Sequence, residues 1–228
     1  MRNRGPYKDQ TLHLLRERGV PVETVLDVGV LFGTPELTKV WPDKKHILFE
    51  PVAEFTDRIS ANYRNISHEL HCVAVGNADG TVGLKLASQV AGVAISHSVM
   101  FSGATDSDAR IREVRKISLD SFLADRGLAE PYLLKIDIDG QDLQVLKGAT
   151  ETLKKCSIVI IECQSSQLVQ NIAAVQNAGF TLFDLAEPCY YDKVFWQCDA
   201  VFIRKEIAKE KFKQLQGTVE PGMYEKFS

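Results

Sequence analysis

The chain has 228 residues, of which 45% are hydrophobic and 25% are charged. This composition is typical of a globular protein and excludes disordered, collagen-like and coiled-coil chains, and the length favours one domain over two. With 27 Lys and Arg residues against 30 Asp and Glu residues, the net charge is −3. That balance excludes a global basic field of the kind that collects nucleic acid.

The cysteine pattern and the lengths of the apolar runs indicate where in the cell the protein is located. There are five cysteines and no CxxC pair, namely Cys72, Cys156, Cys163, Cys189 and Cys198. An odd number without a pair suits a reducing compartment better than a disulfide framework. No apolar stretch follows the basic amino terminus, and the longest apolar run, at residues 158–161, is too short to cross a bilayer. We therefore expect a cytoplasmic protein without a membrane span.

Strand and helix patterns alternate along the first half of the chain. A short helix over residues 8–19 ends at a glycine, and predicted strands then cover residues 24–28, 46–50, 70–75 and 81–86. Such alternation predicts βαβ units and a mainly parallel sheet. Residues 87–110 are rich in Ser, Gly and Ala and show no period, which predicts a long loop.

The second half of the chain resumes the alternation. After an ordered segment at 117–123, predicted strands cover residues 132–138, 157–162, 180–185 and 200–204. The last two are expected to form an antiparallel pair at one edge of the sheet. We therefore expect one domain over residues 1–228, with a C-terminal helical tail over residues 205–228 whose lysine-rich first part is solvated.

Glycines follow the first predicted strand, where Asp27-Val28-Gly29 leads to Gly33. Small residues here allow backbone N–H groups to approach a ligand, although a tight turn alone would also explain them. The G-x-G-x-x-G pattern of dinucleotide folds is absent because Leu31 occupies its middle position, and no P-loop is present. The glycines favour neither interpretation by themselves.

A carboxylate, Glu50, ends the second predicted strand, 23 positions after Asp27. An acidic residue at this place in nucleotide folds accepts the ribose hydroxyls, and Pro51 keeps Glu50 extended at the strand tip. A surface glutamate that only ends a strand is the alternative. With the glycine turn, Glu50 indicates a ligand of the adenosine type.

Three charged residues, Lys135, Asp137 and Asp139, share one side of an otherwise apolar strand. Charges at the end of a buried strand are costly unless they are paired or functional. A Lys-Asp pair with Asp139 as a helix cap is one account. The other places the carboxylates beside the ligand, where they orient or deprotonate an acceptor.

Six motifs together resemble the FkbM-type methyltransferases. In chain order they are Leu26-Asp27-Val28-Gly29, Phe49-Glu50-Pro51, Val73-Ala74-Val75-Gly76, Ile117-Ser118-Leu119-Asp120, Leu134-Lys135-Ile136-Asp137-Ile138-Asp139-Gly140 and Leu146-Lys147-Gly148-Ala149. The resemblance implies an α/β class I methyltransferase fold: a Rossmann-like, mostly parallel sheet of seven strands, with helices on both faces and an antiparallel edge hairpin. It also implies S-adenosylmethionine as cofactor and O-methylation of a small-molecule or carbohydrate hydroxyl. We therefore expect a methyltransferase that acts on a hydroxyl of a sugar, glycolipid or secondary metabolite.

The resemblance also implies a cofactor site. Asp27, Gly29 and Gly33 would surround the methionine part, Glu50 the ribose, and the segment from Cys72 to Ala74 the adenine. The full predicted set of cofactor-binding residues is Asp27, Gly29, Gly33, Glu50, Pro51, Cys72, Val73, Ala74 and Asp137.

Two positions differ from the family pattern. Val30-Leu31 stands where the family has Ala-Asn, and Asp139 stands where it has Glu. Two alternatives therefore stay open: a non-catalytic protein of the same fold that binds adenosine or S-adenosylmethionine, and a nicotinamide-dependent oxidoreductase.

An alcohol acceptor must lose a proton when it is methylated, which calls for a positioned base. Asp137 is the first candidate, Asp139 the second, and His97 in the predicted loop the best histidine. A Mg²⁺ held by Asp137, Asp139 and Glu162 is a competing device that we do not favour, and no residue is predicted as a metal ligand.

The late aromatic residues at 190–191 and 195–196 suit either a stacked acceptor or edge packing. We expect a small-molecule or carbohydrate acceptor and no nucleic-acid partner, and self-association stays open.

Overall fold

A computed structural model describes residues 2–5, 7–87, 97–101, 111–212 and 225–227 of the protein. Its strands are β1 (Arg2–Arg4), β2 (Thr24–Val28), β3 (Lys45–Phe49), β4 (His68–His71), β5 (Ala74–Val75), β6 (Gly80–Ala87), β7 (His97–Phe101), β8 (Ile111–Ile117), β9 (Tyr132–Ile136), β10 (Cys156–Gln164), β11 (Phe180–Tyr191), β12 (Val194–Arg204) and β13 (Glu225–Phe227). Its helices are α1 (Lys8–Glu17), α2 (Pro35–Val40), α3 (Thr56–Asn62), α4 (Leu119–Leu123), α5 (Asp142–Lys147), α6 (Thr150–Lys154), α7 (Leu168–Asn177) and α8 (Lys205–Lys211), with a 3₁₀ turn at Ala53–Phe55.

The main sheet has seven strands in the order β11-β12-β10-β9-β2-β3-β4, and only β12 runs against the others. Every residue of β2 and β9 is buried, because these central strands are covered on both faces. The predicted fold class is therefore confirmed, including the antiparallel hairpin at one edge.

Helices pack on both faces of this sheet because consecutive strand residues point to opposite sides. On one face Leu26 and Leu134 belong to an apolar cluster that receives helices α4 to α7. On the other, Val25 and Leu133 belong to a cluster that includes α1, α2 and α8. None of the described helices has both the length and the apolarity needed to cross a bilayer.

A second sheet, which the sequence does not signal, lies between β4 and β9 in the chain and has the order β5-β8-β6-β7. The strand predicted at 70–75 is in fact two short strands, since β4 joins the main sheet and β5 joins the second one. Residues 97–101 were expected in a loop, and this is wrong: they form β7 because β6 provides an antiparallel partner. The other residues of the predicted loop, 88–96 and 102–110, lie outside the described part of the chain.

The edge hairpin is longer than the sequence predicts. β11 continues to Tyr191 and β12 begins at Val194, so that both strands project beyond the pairing with β10. The turn consists of Asp192 and Lys193, which have φ of 48° and 64°, as a two-residue hairpin turn requires. The hairpin thus extends past the carboxyl end of β10.

The chain ends differ from the predicted tail. Helix α1 lies within the predicted residues 8–19, but α8 ends at Lys211 and the following Phe212 is buried against Phe183, at 4.9 Å between ring centres. Farther on, β13 pairs in parallel with β1. The prediction of a helical tail over 205–228 is therefore wrong beyond residue 211 for the described residues.

Candidate functional site

A cavity of about 710 Å³ opens at the carboxyl ends of the parallel strands. This size and position are usual for ligand sites in open α/β sheets. Among the predicted site residues, those on its wall are Gly29, Glu50, Pro51, Val73, Ala74, Asp137 and Asp139. Of the predicted cofactor-binding residues, Asp27, Gly33 and Cys72 lie outside the wall.

Gly29 follows β2 directly and adopts a φ of +82°, which side chains rarely tolerate. Its N–H donates to the carbonyl of Phe49 at 3.0 Å. A Cβ at this position would lie 1.9 Å from the carbonyl oxygen of Asp137. The neighbouring chain segment therefore demands a glycine here, whatever ligand occupies the cavity.

Asp27 is fully buried beneath the cavity and does not reach its wall. Its Oδ2 accepts hydrogen bonds from Thr34 Oγ1 at 2.7 Å and Tyr63 Oη at 3.3 Å, and Lys135 Nζ lies 3.3 Å from Oδ1. A direct contact between Asp27 and the cofactor was expected, but the buried side chain does not reach the cavity. Asp27 instead binds Lys135 below the cavity wall.

Gly33 and Cys72 also lie away from the wall. Gly33 closes the turn after β2, where its N–H donates to the carbonyl of Val30 at 2.8 Å. Cys72 is exposed, and its Sγ lies 3.6 Å from Thr56 Oγ1. Of the three residues predicted to border the adenine, Val73 and Ala74 are on the cavity wall and Cys72 is not.

Glu50 connects two loops at the cavity. Its Oε2 accepts the N–H of Leu31 at 2.8 Å and its Oε1 accepts the N–H of Val52 at 2.9 Å. Burial, outweighing these hydrogen bonds, raises the pKa of Glu50 to about 7. A carboxylate has about four acceptor sites, so each oxygen of Glu50 can still accept a hydroxyl from a ligand.

Lys135 is buried at the end of β9 and joins three groups. Its Nζ lies 3.1 Å from Asp137 Oδ2 and 3.3 Å from Asp27 Oδ1, and it donates to the carbonyl of Gly29 at 3.0 Å. Burial alone would lower the pKa of Lys135, but the charges of Asp137 and Asp27 raise it overall. The predicted Lys-Asp pair is therefore confirmed.

Asp137 is paired with Lys135 and also faces the cavity, since 35% of its side chain is exposed. Desolvation acts to raise the pKa of Asp137, but the charge and hydrogen bond of Lys135 lower it. Asp137 is consequently a carboxylate at neutral pH. Asp137 is therefore both an ion-pair partner of Lys135 and a residue of the cavity wall, so a Lys-Asp pair does not exclude a position beside the ligand.

Glu162, near the end of β10, lies beside Asp137 on the cavity wall. Burial and the nearby charges of Asp137 and Asp199 raise the pKa of Glu162 to about 8, and its carboxyl group hydrogen-bonds to Asp137. Gln197 Nε2 donates to its Oε1. Glu162 is therefore mainly protonated at neutral pH, which its position at a strand end did not indicate.

Asp139 has a φ of 51° and reaches the cavity wall. It does not cap the next helix as expected, because α5 begins at Asp142 and its cap position is Gln141. The buried Asp142, which sequence reasoning did not single out, has a pKa raised to about 7 by burial.

His97 begins β7, opposite Ala87 of β6. His97 thus belongs to a sheet and not to the predicted loop, and its role as a base stays a prediction. In the described part of the chain, no three His, Cys, Asp or Glu residues are placed to hold a metal ion, and this includes Asp137, Asp139 and Glu162.

The far end of the cavity is formed by residues of β10 and of the edge hairpin. Gln164 and Gln197 are paired partners on β10 and β12, and Tyr191 and Trp196 project from the edge hairpin. The length of the hairpin is the signal that was missed, because its outer residues resemble surface positions.

Comparison with known proteins gives a family match. Residues 27–182 match the model of the methyltransferase FkbM domain. The hexuronic acid methyltransferase AglP of Haloferax volcanii is 23% identical over 156 residues, which are 68% of this chain and 62% of that protein. The chain thus spans less than two thirds of the length of this relative.

Solved structures show the same fold. The FkbM methyltransferase of Methylobacillus flagellatus superposes with a TM-score of 0.53 at 15% identity, over 78% of this chain and 43% of that one. An rRNA methylase from Streptococcus thermophilus gives a TM-score of 0.50 at 12% identity, over 86% and 94%. These identities support the fold alone.

Proposed function

The chain belongs to the FkbM methyltransferase family, and on this premise we propose that it transfers a methyl group from S-adenosylmethionine to a hydroxyl group of a carbohydrate. The observation that supports this function best is the cavity at the ends of β2 and β3, with Glu50 on its wall. The family is one of methyltransferases, which is against the nicotinamide-dependent alternative.

Glu50 is the proposed ribose ligand. Its carboxyl group is held in place by the N–H groups of Leu31 and Val52, so its orientation is set before a ligand binds. The small residues Gly29 and Ala74 leave room beside it on the same wall. This arrangement fits an adenosine group better than a bulky apolar ligand.

When bound, S-adenosylmethionine supplies an electrophilic methyl group on a positively charged sulfur. The carboxylates of Asp137 and Asp139 on the cavity wall favour a cationic ligand. Asp137 is fixed by Lys135, which sits behind it and is itself held by Asp27 and the carbonyl of Gly29. We infer that these charges select and orient the cofactor.

Asp137 is also the proposed proton acceptor. It is ionised, partly exposed to the cavity and adjacent to the protonated Glu162. A carboxylate in this place can accept a hydrogen bond from the acceptor hydroxyl and then its proton as the oxygen is methylated. Asp139 stays the second candidate for this role.

A carbohydrate acceptor is supported by the relative, which is named for its action on a hexuronic acid. Cytoplasmic location and the choice of acceptor stay proposals. The non-catalytic alternative predicts cofactor binding without turnover, so an assay for S-adenosylhomocysteine release with carbohydrate acceptors separates the two.

Titration calorimetry with S-adenosylhomocysteine, S-adenosylmethionine and NAD tests the cofactor. We expect the first two to bind, and Glu50→Ala to weaken that binding about tenfold or more, because the ribose would lose two hydrogen bonds that each contribute about 0.5–1.5 kcal/mol. Glu54→Ala is the matched control, since Glu54 is nearby, exposed and paired with Arg112. Binding of NAD in preference, or equal affinities for all three proteins, would contradict the proposal.

A further inference from the structure

The tip of the edge hairpin exposes large aromatic side chains. Tyr190, Tyr191 and Trp196 are 65%, 76% and 50% exposed. Exposed aromatic residues that cluster, unlike single ones, mark binding surfaces.

Only two of these three side chains face the cavity. Tyr191 and Trp196 are on its wall, with their ring centres 6.4 Å apart and the ring planes inclined by 56°. Tyr190 is not on the wall and packs edge-on against Phe195, at 6.0 Å. We call Tyr191 and Trp196 the hairpin platform.

The hairpin platform is held in place and has polar neighbours. The N–H of Ser165 donates to the carbonyl of Trp196 at 2.7 Å, which ties β12 to the end of β10. Gln164 and Gln197 lie on the same wall, and their amides can both donate and accept hydrogen bonds. Apolar rings beside amide groups match a ligand with one apolar face and a rim of hydroxyls.

The two ends of the cavity are formed by different strands of the main sheet. Glu50 lies at the end of β3, whereas the hairpin platform belongs to β11 and β12, on the other side of β10, β9 and β2 in the sheet. Asp137 and Glu162 come from the strands between them. A ligand on the platform would thus lie on the opposite side of these carboxyl groups from a nucleoside at Glu50.

We propose that the hairpin platform binds the acceptor by stacking a pyranose ring on Tyr191 and Trp196, with the ring hydroxyls directed to Gln164, Gln197 and Glu162. The inference rests on the proposed function and adds the residues that select a sugar. It gives the long hairpin a role in acceptor recognition, separate from the cofactor end of the cavity.

An array of immobilised neutral and uronate-containing oligosaccharides tests this platform. The wild type, Trp196→Ala, Tyr191→Ala and the control Tyr190→Ala are applied with saturating S-adenosylhomocysteine, whose binding is measured separately for each protein. We expect the wild type and Tyr190→Ala to retain the same oligosaccharides, and both platform variants to bind the best of them about tenfold more weakly or worse.

Tryptophan emission gives a second measurement. Trp196 is exposed whereas Trp41 is buried, so an emission change on adding the retained oligosaccharide should be absent from Trp196→Ala. If S-adenosylhomocysteine binds but no oligosaccharide is retained, or if Tyr190→Ala loses as much binding as the platform variants, the platform is wrong and the cofactor assignment survives.

Loss of S-adenosylhomocysteine binding in the wild type would instead overturn the proposed function itself. Light scattering distinguishes one further outcome: a dimer that Trp196→Ala converts to a monomer, with no oligosaccharide bound, would show that the aromatic surface joins two copies and would overturn the sugar platform.

Discussion

Gly29 and the carbonyl group of Asp137 approach each other so closely that a Cβ on residue 29 would lie 1.9 Å from the carbonyl oxygen. In the same place the N–H of Asp137 donates to the carbonyl of Val28 at 3.0 Å. The glycine after β2 thus has a packing reason that is independent of any ligand. Gly29 lies on the cavity wall because it packs directly against Asp137, which is also on the wall.

Replacing Gly29 by alanine should therefore destabilise the fold itself. We expect Gly29→Ala to lower the free energy of unfolding by at least about 2 kcal/mol, because it combines an unfavourable φ with a clash against backbone. Gly127→Ala is the matched control: Gly127 also has a positive φ, +58°, but nothing lies within 4 Å of a Cβ there. It should cost about 1 kcal/mol. Equal costs in urea titrations of the two variants would contradict the packing argument.

Leu31, on the cavity wall, adopts an unfavourable left-handed backbone conformation. Its φ is 53° and its side chain is 39% exposed, so little burial compensates for the left-handed conformation. We expect Leu31→Asn to raise the free energy of unfolding by about 0.5–1 kcal/mol, since asparagine tolerates this region, and Leu31→Val to lower it. Urea titrations of both variants check the signs. A lower stability of Leu31→Asn would show that the leucine side chain contributes packing.

The fold was predictable where strands are mainly apolar. β2 and β9 are buried along their whole length, and both were predicted from the apolar pattern of the sequence, although β9 ends two residues before the predicted limit. The second sheet was not, because β7 owes its strand to pairing with β6 across the chain, which no local pattern reveals. The outer part of the hairpin was missed for the same reason.

The site was predictable in position and less so in detail. Glu50 ends its strand at the cavity, as its spacing from the first strand indicated. Asp27 has the same strand-end signature, yet Thr34, Tyr63 and Lys135 hold it below the wall. Which of two similar carboxylates faces a ligand depends on these partners from other elements, and only the tertiary structure brings them together.

Asp137→Asn separates binding from chemistry. Lys135 keeps Asp27 and the carbonyl of Gly29 as partners, so the variant should fold. We expect turnover, followed as S-adenosylhomocysteine release with any carbohydrate that the wild type methylates, to fall about 10²- to 10⁴-fold. The affinity for S-adenosylhomocysteine should change by less than about threefold, a shift below about 0.7 kcal/mol, because its sulfur carries no positive charge for Asp137 to attract.

Asp139→Asn is the comparison for this prediction, because Asp139 lies on the same wall. If Asp139→Asn loses more turnover than Asp137→Asn, the two roles must be exchanged. Unchanged turnover in both variants would remove the carboxylates from the proton transfer.

Glu162 gives a prediction about pH. Its pKa is raised from 4.5 to about 8 in the folded protein, by burial and the charges of Asp137 and Asp199. Between about pH 5 and 8 the unfolded chain has therefore lost a proton that the folded protein still binds, and the free energy of unfolding falls as the pH rises through this interval. Glu162→Gln removes that proton release while keeping an oxygen for Gln197 and an N–H for Asp137.

Urea titrations at pH 5 and pH 8 test this sign. The free energy of unfolding of Glu162→Gln, minus that of the wild type, should be larger at pH 8 than at pH 5. The reason is that only the wild type loses the contribution of the protonated carboxyl group as the pH rises. Glu50 and Asp142 also have raised pKa values, and they act equally in both proteins. The comparison therefore reports on Glu162 together with Asp137 and Asp199, whose charges act on it. An identical stability difference at the two pH values would mean that Glu162 is ionised in the folded protein, and Asp137 would then face a second negative charge without a shared proton.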